Sequence, residues 1–252
     1  MSSSNADSFE VEMNSQDIKS KNDDQSSVSS EDVQPPITPV VTRPSTPRVN
    51  RSNQTTFIQD VTSPVPSNQI QECIMRREKR GPFGSYVYQF FGQDQDPIFT
   101  AKKKSSPFHT KFFIYEPISG KIVGNIDSDS KCINYTIKGP DSINFTVAYD
   151  ENFLGRHGCR SFLVVFPDGK KFISKPPITI AGNYYQDFHD LDTVQSIKNF
   201  VCVEKSDYHK EVCIFVRSTT EDCFTLRISS PFTLFAGFAL ALTSLHTGLF
   251  HR

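Results

Sequence analysis

From Cys73 onward the chain is written in short apolar runs separated by Gly, Asp, Asn, Ser and Pro. The runs are "YVYQFF" (86–91), "PIFTAKK" (97–103), "KFFIYE" (111–116), "KIVGNI" (121–126), "CINYTIKG" (132–139), "INFTVAY" (143–149), "RSFLVVF" (160–166), "KKFIS" (170–174), "NFVCVE" (199–204), "KEVCIFVR" (210–217) and "CFTLRIS" (223–229). They are rich in aromatic and β-branched residues, and several alternate with period two: Cys132, Asn134 and Thr136 oppose Ile133, Tyr135 and Ile137. Period two places alternate side chains on opposite faces of a strand, and turn signals at this spacing are those of a sandwich or barrel. An antiparallel β domain is predicted almost throughout.

The last stretch, "PFTLFAGFALALTSLHTGLFHR" (231–252), reads differently. Alanines and leucines dominate, Ser230 is placed to cap a helix, and Pro231 suits its first turn. The strictly apolar part, Phe232 to Leu242, falls short of the roughly 20 residues a bilayer requires. In a membrane Thr243, Ser244, His246 and Thr247 would lie where polar groups are costly. A helix that is apolar on all sides, yet too short and too polar at one end to span a bilayer, is predicted to be buried in protein. A sheet of about eleven strands around one such helix is an unusual architecture.

The first 70 residues are rich in Ser, Asp, Asn, Gln and Pro and hold few large apolar side chains. Such a segment cannot bury enough surface to offset the entropy of ordering, so residues 1–70 are expected to form a disordered, acidic, Ser/Thr/Pro-rich tail, with the domain at 71–252. The near-neutral net charge of -1 hides an asymmetry. Before Cys73 there are 5 Lys+Arg against 10 Asp+Glu, leaving 22 against 18 from Cys73 onward. Thr38, Thr46 and Ser63 each precede a proline, the pattern proline-directed kinases read, beside Arg43, Arg48 and Arg51. Phosphate on them would cancel a small basic patch. The tail is also the expected site of protein partners.

The six cysteines form no C-x-x-C pair, and no apolar leader opens the chain, so reduced thiols in a cytosolic protein are expected. Enzyme chemistry finds no support. G-x-S-x-G, P-loop and H-E-x-x-H motifs are missing, and neither His157 with Cys159 nor His189 with Asp190 and Asp192 completes a zinc ligand set. No enzyme activity, cofactor or metal is expected. A domain charge near +4 without a basic recognition helix also argues against nucleic acid as a partner.

Five separated motifs then occur in one order: "CIMRREKRG" (73–81), "VAYDENFLGRHGCRSFLVVFP" (147–167), "SIKNF" (196–200), "EDCFTLRISSPF" (221–232) and "GFALALTSLHTGLFHR" (237–252). Together they resemble the C-terminal domain of the tubby and tubby-like proteins. The resemblance implies an all-β fold, a closed antiparallel barrel of about twelve strands around the hydrophobic C-terminal helix, with "RREKR" (76–80) in the first strand and its turn. It also implies binding of phosphoinositides, notably phosphatidylinositol 4,5-bisphosphate, on the cytoplasmic leaflet. The expected protein is thus a monomeric adaptor or signalling protein in the cytoplasm, peripheral at the plasma membrane. The alternatives are a nuclear transcription regulator of the same fold and a protein-binding scaffold that has lost lipid binding.

The family's headgroup site carries a basic run that "AKKKSSPFHTKFFIY" (101–115) resembles, placing Lys102, Lys103 and Lys104 on it. Alternation along a strand lets Lys102 and Lys104 converge on one ligand while Lys103 points elsewhere. Lys131 is a further candidate. Asp127 stands where the family places a phosphate-contacting Arg, and a carboxylate there would repel a headgroup. Each lysine near an anionic leaflet adds about 1 kcal/mol, so three give roughly 3, and micromolar or weaker binding is expected.

Overall fold

A computed structural model describes residues 61–81, 85–92, 96–105, 109–150, 161–181 and 183–246. The described strands are β1 (Ile70–Arg80), β2 (Ser85–Phe91), β3 (Pro97–Ser105), β4 (Thr110–Tyr115), β5 (Ile122–Ser128), β6 (Asn134–Lys138), β7 (Asn144–Tyr149), β8 (Phe162–Val165), β9 (Lys171–Ser174), β10 (Ile178–Ile180), β11 (Asn183–Tyr185), β12 (Phe200–Glu204), β13 (Asp207–Arg217) and β14 (Cys223–Ser229). Twelve of them close a barrel in the order β1-β14-β13-β12-β9-β8-β7-β6-β5-β4-β3-β2. Each of the eleven apolar runs contributes one barrel strand, and "CIMRREKR" lies in the twelfth, β1. All barrel neighbours pair antiparallel, so the closed sheet leaves no free edge.

The axis of the barrel is filled by α1 (Leu234–Leu245). Its twelve residues give a rod of about 18 Å, well below a bilayer's hydrocarbon thickness. Among the described residues no helix is long and apolar enough to cross a membrane. Within α1 the residues from Phe235 to Leu245 are all buried. Phe238 stacks on Phe90 and Phe99 with ring centroids 4.9 and 5.8 Å apart, and Phe235 meets Phe99 edge-on. The fit is close enough to demand glycine in the wall. A Cβ on Gly124 would stand 2.5 Å from the Phe235 ring, and one on Gly139 2.4 Å from it.

The helix begins later than the sequence pattern suggests. Thr233, not Ser230, is the cap, with its Oγ1 accepting from the Ala236 N–H at 3.0 Å. The Ser230–Pro231 peptide is cis, and Phe232 turns into the core against Phe172 at 5.0 Å before the helix starts. The polar residues near its other end find partners inside the protein. Thr243 Oγ1 donates to the Leu240 carbonyl at 2.7 Å and also meets Tyr149 Oη at 2.9 Å, and Ser244 Oγ donates to the Lys198 carbonyl at 2.7 Å. Buried hydroxyls that would be costly in lipid are thereby satisfied. Thr247 lies outside the described residues.

Two features depart from the sequence reading. The core takes in residues before the boundary expected at 70: Val61 and Val65 are buried in it, and the Val65 N–H donates to the Phe232 carbonyl at 2.9 Å. Isolated apolar side chains in a polar stretch gave no periodic signal, yet both of these reach the core. The second feature is an excursion, residues 175–199, between β9 and β12. It carries the β10–β11 hairpin and lays Phe188 and Leu191 on the outer face of β12 and β13, over Val201, Val203, Ile214 and Val216.

Candidate functional site

The alternation of β3 sorts its lysines by physics alone. Phe99 and Ala101 point into the barrel and are buried, so Lys102 and Lys104 point out and are exposed while Lys103 points in and is half-buried. Burial holds the Lys103 ammonium below the usual lysine range, with the neighbouring Cys132 acting in the opposite direction. Lys103 therefore belongs to the mouth of the barrel rather than to the outer face.

The pairing of β3 to β6 arranges that outer face in rows. Lys104 lies directly opposite Lys111, Lys111 opposite Asp127, and Asp127 opposite Thr136. In the next row Lys102 lies opposite Phe113, Phe113 opposite Asn125, and Asn125 opposite Lys138. Directly opposed side chains on one face stand about 5 Å apart at Cβ. Lys102 Nζ sits 5.0 Å above the Tyr115 ring, and Lys111 Nζ lies 5.7 Å from the Phe113 ring. Asp127 is engaged by its neighbours, with Lys111 Nζ at 2.9 Å and Asn125 Nδ2 donating at 2.6 Å. The two rows thus set four lysines against one carboxylate.

Lys131 is exposed in the turn between β5 and β6, at the end of the barrel where β3 finishes. Ser63 is exposed just before Pro64, which bridges to Thr233. Thr38 and Thr46 lie outside the described residues, as do His157 and Cys159. His189 and Asp190 are committed elsewhere: His189 Nε2 lies 2.7 Å from Glu211, which also takes Lys175 at 2.8 Å, and Asp190 bonds Arg227 at 2.5 Å. Asp192 accepts from Thr219. These contacts fasten the excursion to the barrel wall.

Sequence reasoning passed over Lys111 and Lys138. Both occupy outward positions of apolar strands, a signal present in "TKFFIY" and "NYTIK". What places them beside Lys104 and Lys102 is the strand register, which alternation by itself does not specify.

A closed antiparallel barrel with a buried helix along its axis is the architecture that the resemblance to tubby domains implies. Comparison with known proteins agrees, since the Tub family matches residues 170–247. Protein king tubby 2 of Aedes aegypti is 26% identical over 74% of this chain and 58% of its own length. Protein king tubby of Anopheles gambiae is 28% identical over 67% of this chain and 42% of its own, and that of Drosophila pseudoobscura pseudoobscura 28% over 74% and 52%. The chain spans about half the length of these curated relatives. Over these stretches it is similar to the tubby-like proteins.

Proposed function

We propose that this chain is a phosphoinositide-binding adaptor or signalling protein, tethered at the cytoplasmic face of the plasma membrane through lipids of the phosphatidylinositol 4,5-bisphosphate type. The observation that carries the reading is the pairing of Lys104 directly opposite Lys111, with Lys102 on the same face. Like charges directly opposed destabilise a sheet. A multivalent anion between them removes that repulsion and gains charge-assisted bonds from each ammonium. A bisphosphorylated inositol ring offers two phosphates at a spacing suited to alternate residues of one strand. The Tyr115 ring lies beneath the Lys102 ammonium, and Lys131 and Lys103 at the adjoining barrel end add positive potential.

Asp127 remains the counterweight. Its charge is offset by Lys111, so it repels a headgroup less than a bare carboxylate would, but it also draws one ammonium away from the ligand. Surface attraction of roughly 1 kcal/mol per lysine then gives weak recruitment, strengthened by direct phosphate bonds. The tail of residues 1–70 is read as the regulated, partner-binding part, with Thr38, Thr46 and Ser63 as phosphorylation sites.

Vesicle sedimentation tests the assignment. With phosphatidylinositol 4,5-bisphosphate present, the wild-type chain is expected to pellet, and Lys102→Ala/Lys104→Ala is expected to lose at least tenfold in apparent affinity, from about 2 kcal/mol of lost attraction. Equal pelleting of both proteins with and without the lipid overturns the reading in favour of a scaffold that binds protein alone.

A further inference from the structure

Where α1 ends, the barrel mouth gathers polar side chains that the outer lysine face does not use. His246, only 4% exposed, caps the helix. Its Nε2 lies 4.0 Å from Cys132 Sγ and its Nδ1 lies 3.0 Å from Tyr135 Oη. Ser128 Oγ lies 3.8 Å from the same sulfur. Cys132 holds φ +57, a left-handed conformation that non-glycine residues seldom adopt, in the turn that follows Lys131.

The hydrogen bonds settle which imidazole nitrogen carries the proton. Tyr135 has one hydroxyl hydrogen, and it is donated to the Cys132 carbonyl at 2.8 Å. Toward His246 the tyrosine oxygen can therefore only accept, so Nδ1 carries the hydrogen. The lone pair of Nε2 is left facing the thiol. Ser128 is fixed in the same way: its Oγ accepts from the Thr110 N–H at 3.0 Å, leaving its own hydrogen for the sulfur. The Lys103 ammonium points into the same mouth. The nearby carboxylate, Asp129, is occupied by the Ile133 N–H at 3.0 Å and Asn134 Nδ2 at 2.7 Å. A base, a hydroxyl donor and a cation thus surround one sulfur, the setting in which cysteines become nucleophilic.

We propose that Cys132 is a modification site, a thiol activated by His246 that reacts with hydrogen peroxide and with soft electrophiles. The Sγ proton passes to His246 Nε2. The thiolate then attacks one oxygen of peroxide, forming the S–O bond as the O–O bond breaks. The departing hydroxide takes the proton from Nε2 and leaves as water. Sulfur is oxidised by two electrons to the sulfenic acid and peroxide is reduced, with Nε2 returned to its starting state. The other described thiols offer a contrast. Burial pushes Cys73 up to about 12 and drives Cys202 and Cys213 the same way. Cys223 is half-buried like Cys132 but makes no hydrogen bond to an imidazole among the described residues.

Alkylation of the intact chain by iodoacetamide at pH 7, followed site by site by mass spectrometry, tests this. Cys132 is expected to react at least tenfold faster than Cys223. His246→Gln should slow Cys132 about tenfold. Ser128→Ala, a smaller change that keeps the helix cap, should slow it a few-fold, and peroxide followed by dimedone should mark Cys132. Because the wild-type comparison needs no variant, it decides alone: a Cys132 rate no greater than that of Cys223 overturns the proposal.

Discussion

The outer face of β12 and β13 and the outer face of β3 to β6 belong to one closed sheet, yet the chain treats them in opposite ways. On β12 and β13 the outward side chains are Val201, Val203, Ile214 and Val216, and the chain covers them itself with Phe188 and Leu191 of the 175–199 excursion. On β3 to β6 they are Lys102, Lys104, Lys111, Asp127, Thr136 and Lys138, and no such apolar cluster covers them among the described residues. The interior is filled by α1, so neither face is needed to make the core. What distinguishes them is whether the chain brings its own cover. An apolar outer face must be buried by something in cis, whereas a charged one is stable in water and available to a charged partner.

The comparison can be broken most severely at Val216, which is completely buried on the covered face. Val216→Asp should place an unpaired carboxylate under the excursion and lower unfolding stability by about 4 kcal/mol, whereas Thr136→Asp on the lysine face should change it by less than about 0.5 kcal/mol. Chemical denaturation measures both, and equal effects would erase the distinction. Phe188→Ala should cost about 2 kcal/mol through lost cover and speed hydrogen exchange along β12 and β13. Asp127→Asn acts on the other face. It should release Lys111, shift stability by under about 1 kcal/mol, and raise vesicle affinity about fivefold.

The smallest effect concerns the fastening of the excursion. Burial alone would raise the Glu211 carboxyl, but the hydrogen bonds from His189 and Lys175 outweigh it and hold the group below the usual glutamate range. A depressed folded value stabilises above the unfolded value of about 4.3 and is lost as pH falls through the lower folded one. The acid limb of the stability curve is therefore expected to flatten slightly in Glu211→Gln.

Much of this architecture was legible beforehand, because alternation and composition are local. The apolar runs became barrel strands, and the length and polarity of the final segment placed it inside protein. The β10–β11 hairpin was not legible: "ITI" and "NYY" are three-residue strands, too short to carry a period. The helix start was misplaced because Ser230 and Pro231 satisfy the same local rule as Thr233, and only the demand to bury Phe232 chooses between them. At the candidate site the faces of Lys102, Lys103 and Lys104 followed from period two. The partnership of Lys104 with Lys111, and of Lys111 with Asp127, depends on register across three strands and so emerged only from the fold.

The filling of the barrel stands after all fourteen described strands in the order of synthesis. A growing chain therefore makes its whole wall before it makes the rod the wall encloses, and until Leu234–Leu245 leaves the ribosome the strands have nothing to condense upon. Closure of the barrel around its filling therefore waits on the last described element, and strand edges left open in the interval are templates for pairing with other chains.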